Sequence, residues 1–170
     1  MSHGHSLWAV VAAGVAALAL LPSGFATARP LPQTDAAAAC AGPIEKMICY
    51  HEQVRRRHGV WPLRRSAALD RSARLKGDRI LRCRVFAHQP CGDSFVRTFR
   101  LAGYLPWPGG WIIGENLASG FLTPWGAFEG FMHSPHHRAN ILNREFRQIG
   151  VYEHPSPWGS LWVVEFGNRW

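Results

Sequence analysis

An α+β domain is the predicted fold class of this 170-residue chain. Apolar residues recur at helical spacing mostly between Pro43 and Gly103 and alternate as strands mostly after Gln148, with proline and glycine marking the boundaries. Hydrophobic residues make up 47% of the chain, enough for the core of one domain and no second one.

At the N-terminus, residues 1–28 contain no Lys, Arg, Asp or Glu, and Leu7 to Leu21 is an apolar run of 15 residues. That run is short for a membrane span. With Ala26-Thr27-Ala28 as a small-x-small cleavage site, residues 1–28 read as a signal peptide and the protein as secreted. The alternative is an uncleaved anchor. A lipid-modified Cys40 fits less well, because Ala36 to Ala39 lacks the larger aliphatic residue such sites use. Residues 29–42, rich in Pro and Ala, read as a linker, and residues 43–170 as the domain.

A first helix is expected from Pro43 to His58, with Met47, Tyr50 or His51, and Val54 inward and Gly59 ending it. Ser66 should cap a second helix, with Leu69, Ala73, Ile80 and Leu81 on one broad face and a stop near Cys83. Asp93 or Ser94 should cap a third, with Phe95, Phe99 and Ala102 inward and Gly103 closing it. The cluster Pro106 to Trp111 reads as a loop leading into a strand that delivers Glu115. Thr123-Pro124 and Ser134-Pro135 each place a hydroxyl at an N-cap and a proline at the first helical position. The helix begun at Thr123 carries Trp125, Phe128 and Met132 at core-facing spacing. Gln148 to Glu153 and Leu161 to Phe166 alternate as strands, with His154 to Ser160 turning between them.

Four cysteines, at 40, 49, 83 and 91, suit an oxidising compartment. Three pairings are open; the two local ones, Cys40 with Cys49 and Cys83 with Cys91, are the expectation. No Cys-x2-Cys spacing supports a zinc cluster. The net charge is +8, from 19 basic and 11 acidic residues, and ten arginines fall between Arg55 and Arg84. On amphipathic helices these make a basic face, which reads most simply as solvated and otherwise as a surface for anionic envelope polymers or lipid head groups. Nucleic acid is not an expected partner, since no nucleic-acid module is present. The chain is expected to be a monomer.

Chemistry-bearing side chains concentrate between Ile113 and Leu142. Gly114-Glu115-Asn116-Leu117-Ala118, Ser134-Pro135-His136-His137-Arg138-Ala139-Asn140-Ile141-Leu142 and Ile149-Gly150-Val151 together resemble the bacterial branch of the CAP superfamily, the SCP-like extracellular domains. The likeness spans roughly residues 44 to 168 and takes in Arg55, Gly59-Val60-Trp61-Pro62-Leu63, Phe86-Ala87-His88, Gly103-Tyr104 and Phe166-Gly167. It implies a three-layer α-β-α sandwich. It also implies a cleft at whose floor His88, Glu115 and His137 converge, with Asn116, Ser134, His136 and Arg138 as further lining.

By that resemblance His88 and His137 are candidate ligands for zinc or another divalent ion, with Glu115 a third, although no cofactor is required. If the protein is an enzyme, Glu115, His137 and His88 are its candidate catalytic residues. Many eukaryotic relatives carry a second cleft glutamate where Ser134 stands here, and Glu129 lies a helical turn too early to replace it. That leaves fewer candidates for a general base. His136, where the family usually has glycine, reads as an exposed helix-start residue, and Arg138 as a partner of Glu129 or Glu145. Asn116 and Asn140 should bond neighbouring peptide groups. There is no Gly-x-Ser-x-Gly, and His133-x-x-His136-His137 lacks the glutamate of a metalloprotease helix. Trp107, Trp111 and Trp158, in or beside Pro- and Gly-rich loops, can grip an apolar or sugar ligand. The functional expectation is a secreted ligand-binding or surface-interaction module for a small apolar or extended ligand. The alternative is a divalent-metal-assisted hydrolase using the same cleft.

Overall fold

The run Leu161-Trp162-Val163-Val164 offers no polar face to water, so the strand it forms must be covered on both sides. In the computed structural model, which describes residues 40–105 and 109–170, that strand is central. The elements in chain order are α1 (Pro43–Arg57), β1 (Arg64–Arg65), α2 (Ala67–Cys83), a 3₁₀ turn (Pro90–Gly92), α3 (Arg97–Leu101), β2 (Trp111–Phe121), α4 (Pro124–His133), α5 (Pro135–Leu142), β3 (Gln148–His154) and β4 (Ser160–Arg169). The stretch read as a signal peptide and nearly all of that read as a linker, residues 1–39, lie outside the described residues, as does Trp107. Among the described residues no helix is long and apolar enough to cross a membrane.

The sheet runs β1-β3-β4-β2, with β1 parallel to β3 and the other pairs antiparallel. Alternation sends Trp162, Val164 and Phe166 to one face, where they pack with Met47, Phe128 and Ile141 from α1, α4 and α5. Leu161 and Val163 go to the other face, against Leu117 of β2 and Ala73 and Ile80 of α2. Each such aliphatic or phenyl side chain, taken fully out of water, contributes about 1.5–3 kcal/mol. The result is the expected α+β, three-layer arrangement, and β2 is an edge strand. The helices are seated closely. A Cβ on Gly150 of β3 would lie 2.2 Å from the backbone carbon of Leu69, so only glycine lets the first turn of α2 approach the sheet.

Both local disulfides, Cys40–Cys49 and Cys83–Cys91, are present. Arg55 is fully buried, and its guanidinium donates to the carbonyls of Trp61, Ile141, Asn143 and Phe146, joining the end of α1 to the segment after α5.

Several local expectations are corrected. The third helix begins at Arg97 rather than after Asp93 or Ser94: Asp93 keeps an extended backbone, and its carboxylate is taken by Arg79 and Arg97. Phe95 therefore precedes the helix and packs on Phe99 and the ring of His88. Leu81 is exposed, because α2 buries the narrower stripe Leu69, Ala73, Lys76 and Ile80. In α4 the buried residues are Ala127, Phe128 and Phe131, while half-exposed Trp125 sets its ring edge-on to Tyr50. Thr123 caps α4 by accepting from the Gly126 N–H, whereas Ser134, wedged between α4 and α5, makes no side-chain cap bond. Of the ten arginines from Arg55 to Arg84, Arg55 is buried and Arg79 half-buried against Asp93, leaving eight exposed.

Candidate functional site

Edge strand β2 passes between the two helical layers, and the site lies along it. Alternation points Glu115 and Leu117 toward α2, while Gly114, Asn116 and Ala118 turn toward α4 and α5. On one side, the loop after α2 brings Phe86 and His88 over β2. This loop is bracketed by Arg84 (φ 54°) and Cys91 (φ 60°), both left-handed without being glycine, and is closed by Cys83–Cys91. On the other side, α5 brings Asn140 and His137.

Glu115 is sealed from solvent and has two partners. The ring Nδ1 of His88 lies 2.7 Å from its Oε1. The Lys76 ammonium lies 3.0 Å from Oε2 and 3.3 Å from Oε1. Lys76 is itself buried; it also donates to the backbone carbonyl of His88 and stands 5.1 Å above the Phe95 ring. Directly across the β2–β4 ladder from Glu115 is a second carboxyl, Glu165, fully buried. Burial first, and the charge of Glu115 second, push the Glu165 pKa well above the usual carboxylate range, against the smaller opposing pull of Ser72 and Lys76. The buried floor thus brings together the Lys76, Glu115 and Glu165 side chains.

Half of the His88 side chain is exposed. With its Nδ1 turned to Glu115, the ring lines an open hollow of about 550 Å³ together with Glu115, Gln89, Phe95 and Asn140. His137 lines a neighbouring hollow of about 450 Å³ with Phe86, Leu117, Phe121, Phe131 and Ser134. Its ring meets Phe131 edge-on, and burial, then the neighbouring His88 and His136, lower its pKa. His88 and Glu115 therefore touch, while His137 belongs to the adjoining, more apolar space. Asn116 donates to the His137 carbonyl and Asn140 to the Glu115 carbonyl and the Asn116 side chain, so both asparagines fasten the strand to α5. His136 is exposed at the helix start. Arg138, expected to pair with Glu129 or Glu145, makes no ion pair among the described residues and lines a separate hollow with Met132 and Leu142. Trp111 opens β2, and Trp158 is almost wholly exposed.

The three-ligand metal set implied by the resemblance does not fit this arrangement. Among the described residues no three His, Cys, Asp or Glu side chains are grouped to hold an ion. Physically, the charge of Glu115 is already matched by Lys76, and the remaining two imidazoles are fewer than the three protein ligands of a catalytic zinc.

Lys76 and Glu165 lie outside the candidates that the sequence nominates, though each leaves a trace there. Lys76 is one of only two lysines and sits on the apolar stripe of α2, three residues after Ala73 and four before Ile80. Glu165 is a lone carboxylate in a strand otherwise apolar from Leu161 to Phe166.

Comparison with known proteins agrees with this architecture. The family model of the cysteine-rich secretory protein family, CAP, matches residues 49–166. The uncharacterized protein YkwD of Bacillus subtilis is 32% identical over 146 residues, covering 83% of this chain and 53% of the relative, so the chain spans about half the length of that relative. Among solved structures, an outer surface protein of Borrelia burgdorferi superposes with a TM-score of 0.68 at 18% identity, covering 77% of this chain and 96% of that one. An extracellular protein containing an SCP domain from Bacillus anthracis gives 0.64 at 20% identity, covering 74% of this chain and 40% of that one. With the family model spanning most of the domain and the same layered fold in both structures, the chain belongs to the cysteine-rich secretory protein (CAP) family.

Proposed function

We propose that this protein is an exported module that binds a small or extended amphiphilic ligand along the edge of β2, without turnover. The observation that carries the reading is the pairing of two hollows on one strand. His88, Gln89 and Asn140 line the polar one, while Phe86, Leu117, Phe121 and Phe131 line the apolar one beside it. A ligand with a polar head and an apolar body meets complementary surfaces in both. Against turnover, Glu115 is buried and ion-paired, and among the described residues no cysteine is free to act as a nucleophile, both pairs being oxidised. Export is supported by the apolar leader, by the two disulfides and by the surface or extracellular description of the two structural relatives.

A long-chain fluorescent fatty acid is a suitable probe. Saturable one-to-one binding is expected, weakened at least about tenfold by Phe86→Asp, which sets a charge at an exposed residue of the apolar hollow. A second reading, hydrolysis with His88 as base, draws on the 2.7 Å contact by which Glu115 orients that ring. Peptide or ester hydrolysis that survives chelation, and is lost in both Glu115→Gln and His88→Ala, would replace the binding reading with it.

A further inference from the structure

We infer that Lys76 is the resident cation of the cleft floor, standing where a divalent ion would otherwise be held by Glu115, so that the site works without metal. The inference does not depend on which ligand the cleft takes. Three observations carry it. The Lys76 ammonium bridges the Glu115 carboxylate, at 3.0 and 3.3 Å, and the His88 carbonyl, so its polar partners are oxygens of the kind that hold a hard metal ion, with the Phe95 ring on a further side. It is buried to the same degree as its partner, so water does not compete for either group. It also enters from α2, at a position on the helix's core stripe that an aliphatic residue would ordinarily fill. An ammonium on a flexible stem supplies one charge and three donors. Here those donors fix the carboxylate that orients His88 and the backbone of His88 itself. Lys76 is thus a positioning residue: the loop carrying His88 is tied to the sheet through it.

Removing the ammonium should open the floor to a metal ion: His88 and Glu115 already touch, and the vacated space lets the facing Glu165 carboxyl turn toward them, a grouping that the described residues do not make with Lys76 in place. The experiment is a titration of the disulfide-bonded protein with zinc by calorimetry and with cobalt(II) by visible absorption. In the wild type no one-to-one complex that depends on Glu115 is expected. In Lys76→Met a one-to-one complex should appear at least about 100-fold tighter than any wild-type binding, with the absorption of a protein-bound cobalt ion, and be lost when Glu115→Gln is added.

Since Lys76→Met leaves two carboxyl groups facing each other, the titration is repeated on Lys76→Met with Glu165→Gln, which keeps one. Folding of each variant is checked by circular dichroism. Stoichiometric zinc binding by the wild type that Glu115→Gln abolishes would overturn the inference, because Glu115 would then be a ligand with Lys76 in place. A folded Lys76 variant that binds zinc no better than the wild type would overturn it too. The wild-type arm can overturn the inference even if neither variant folds.

Discussion

At the scale of single residues, two buried ionisable groups give the protein opposing pH dependences. His51 is fully buried between Phe128 and Phe166, with Nδ1 bonded to the Met47 carbonyl and Nε2 without a partner. Burial lowers its pKa from 6.5 to about 4, partly offset by the bond to Met47. Between those values the unfolded chain binds a proton that the native state refuses, so the contribution of His51 is complete above pH 6.5 and is lost as pH falls toward 4, by roughly 3 kcal/mol. His51→Phe should remove that loss. Denaturant melts at pH 4 and pH 7 check it: the variant's stability should fall clearly less than the wild type's on acidification. Glu165 acts the other way. Its raised pKa means that the native state keeps a proton the unfolded chain releases above about pH 4.5, so its contribution declines as pH rises through that window toward the native pKa. Glu165→Gln, uncharged and of the same shape, should match the wild type near pH 4 and gain on it as pH rises. A difference that stays flat from pH 4 to pH 8 would mean that Glu165 is ionised in the native protein.

At the scale of elements, what is legible in the sequence is what depends on neighbours along the chain. Ser66 and Thr123 are found as caps, Gly103 has the left-handed backbone its helix end needs (φ 70°), and both short disulfide loops are as expected. The start of α3 departs from its local signal because Asp93 is claimed by Arg79, fourteen residues away, in preference to capping. The two-residue β1 leaves no periodic signal at all; it exists because the backbone beside it pairs with β3. Arg55 follows the same rule. The family resemblance marks its position, but its role rests on carbonyls more than 80 residues away. Arg55→Lys keeps the charge and loses the planar fork that reaches four carbonyls at once, so it should cost about 2–4 kcal/mol. Urea unfolding measures this, and a loss below about 1 kcal/mol would mean that those carbonyls are satisfied without the guanidinium.

At the scale of the whole molecule, the site is a product of layering. Lys76 and His88 come from the α2 side, Asn140 and His137 from α5, and Glu115 from the strand between them, so no single segment holds the cleft. This is why the sequence nominates His88, Glu115 and His137 but does not divide them between two hollows: that depends on which way each layer faces the edge of β2. The two disulfides act on this arrangement unequally. They close loops of similar size, with separations of 9 and 8 residues, so by chain entropy alone each should stabilise by about 2.5 kcal/mol. Only Cys83–Cys91 encloses the loop that bears His88. Replacing both of its cysteines with alanine should therefore lower stability and also free the His88 ring from Glu115. Replacing Cys40 and Cys49 should lower stability by a similar amount while leaving that contact intact. Ring-proton NMR of His88 in the two double variants, read beside their melting temperatures, separates the effects. If both pairs shifted the His88 resonances alike, its placement would follow from global stability, and the clamp on the loop would have no local role.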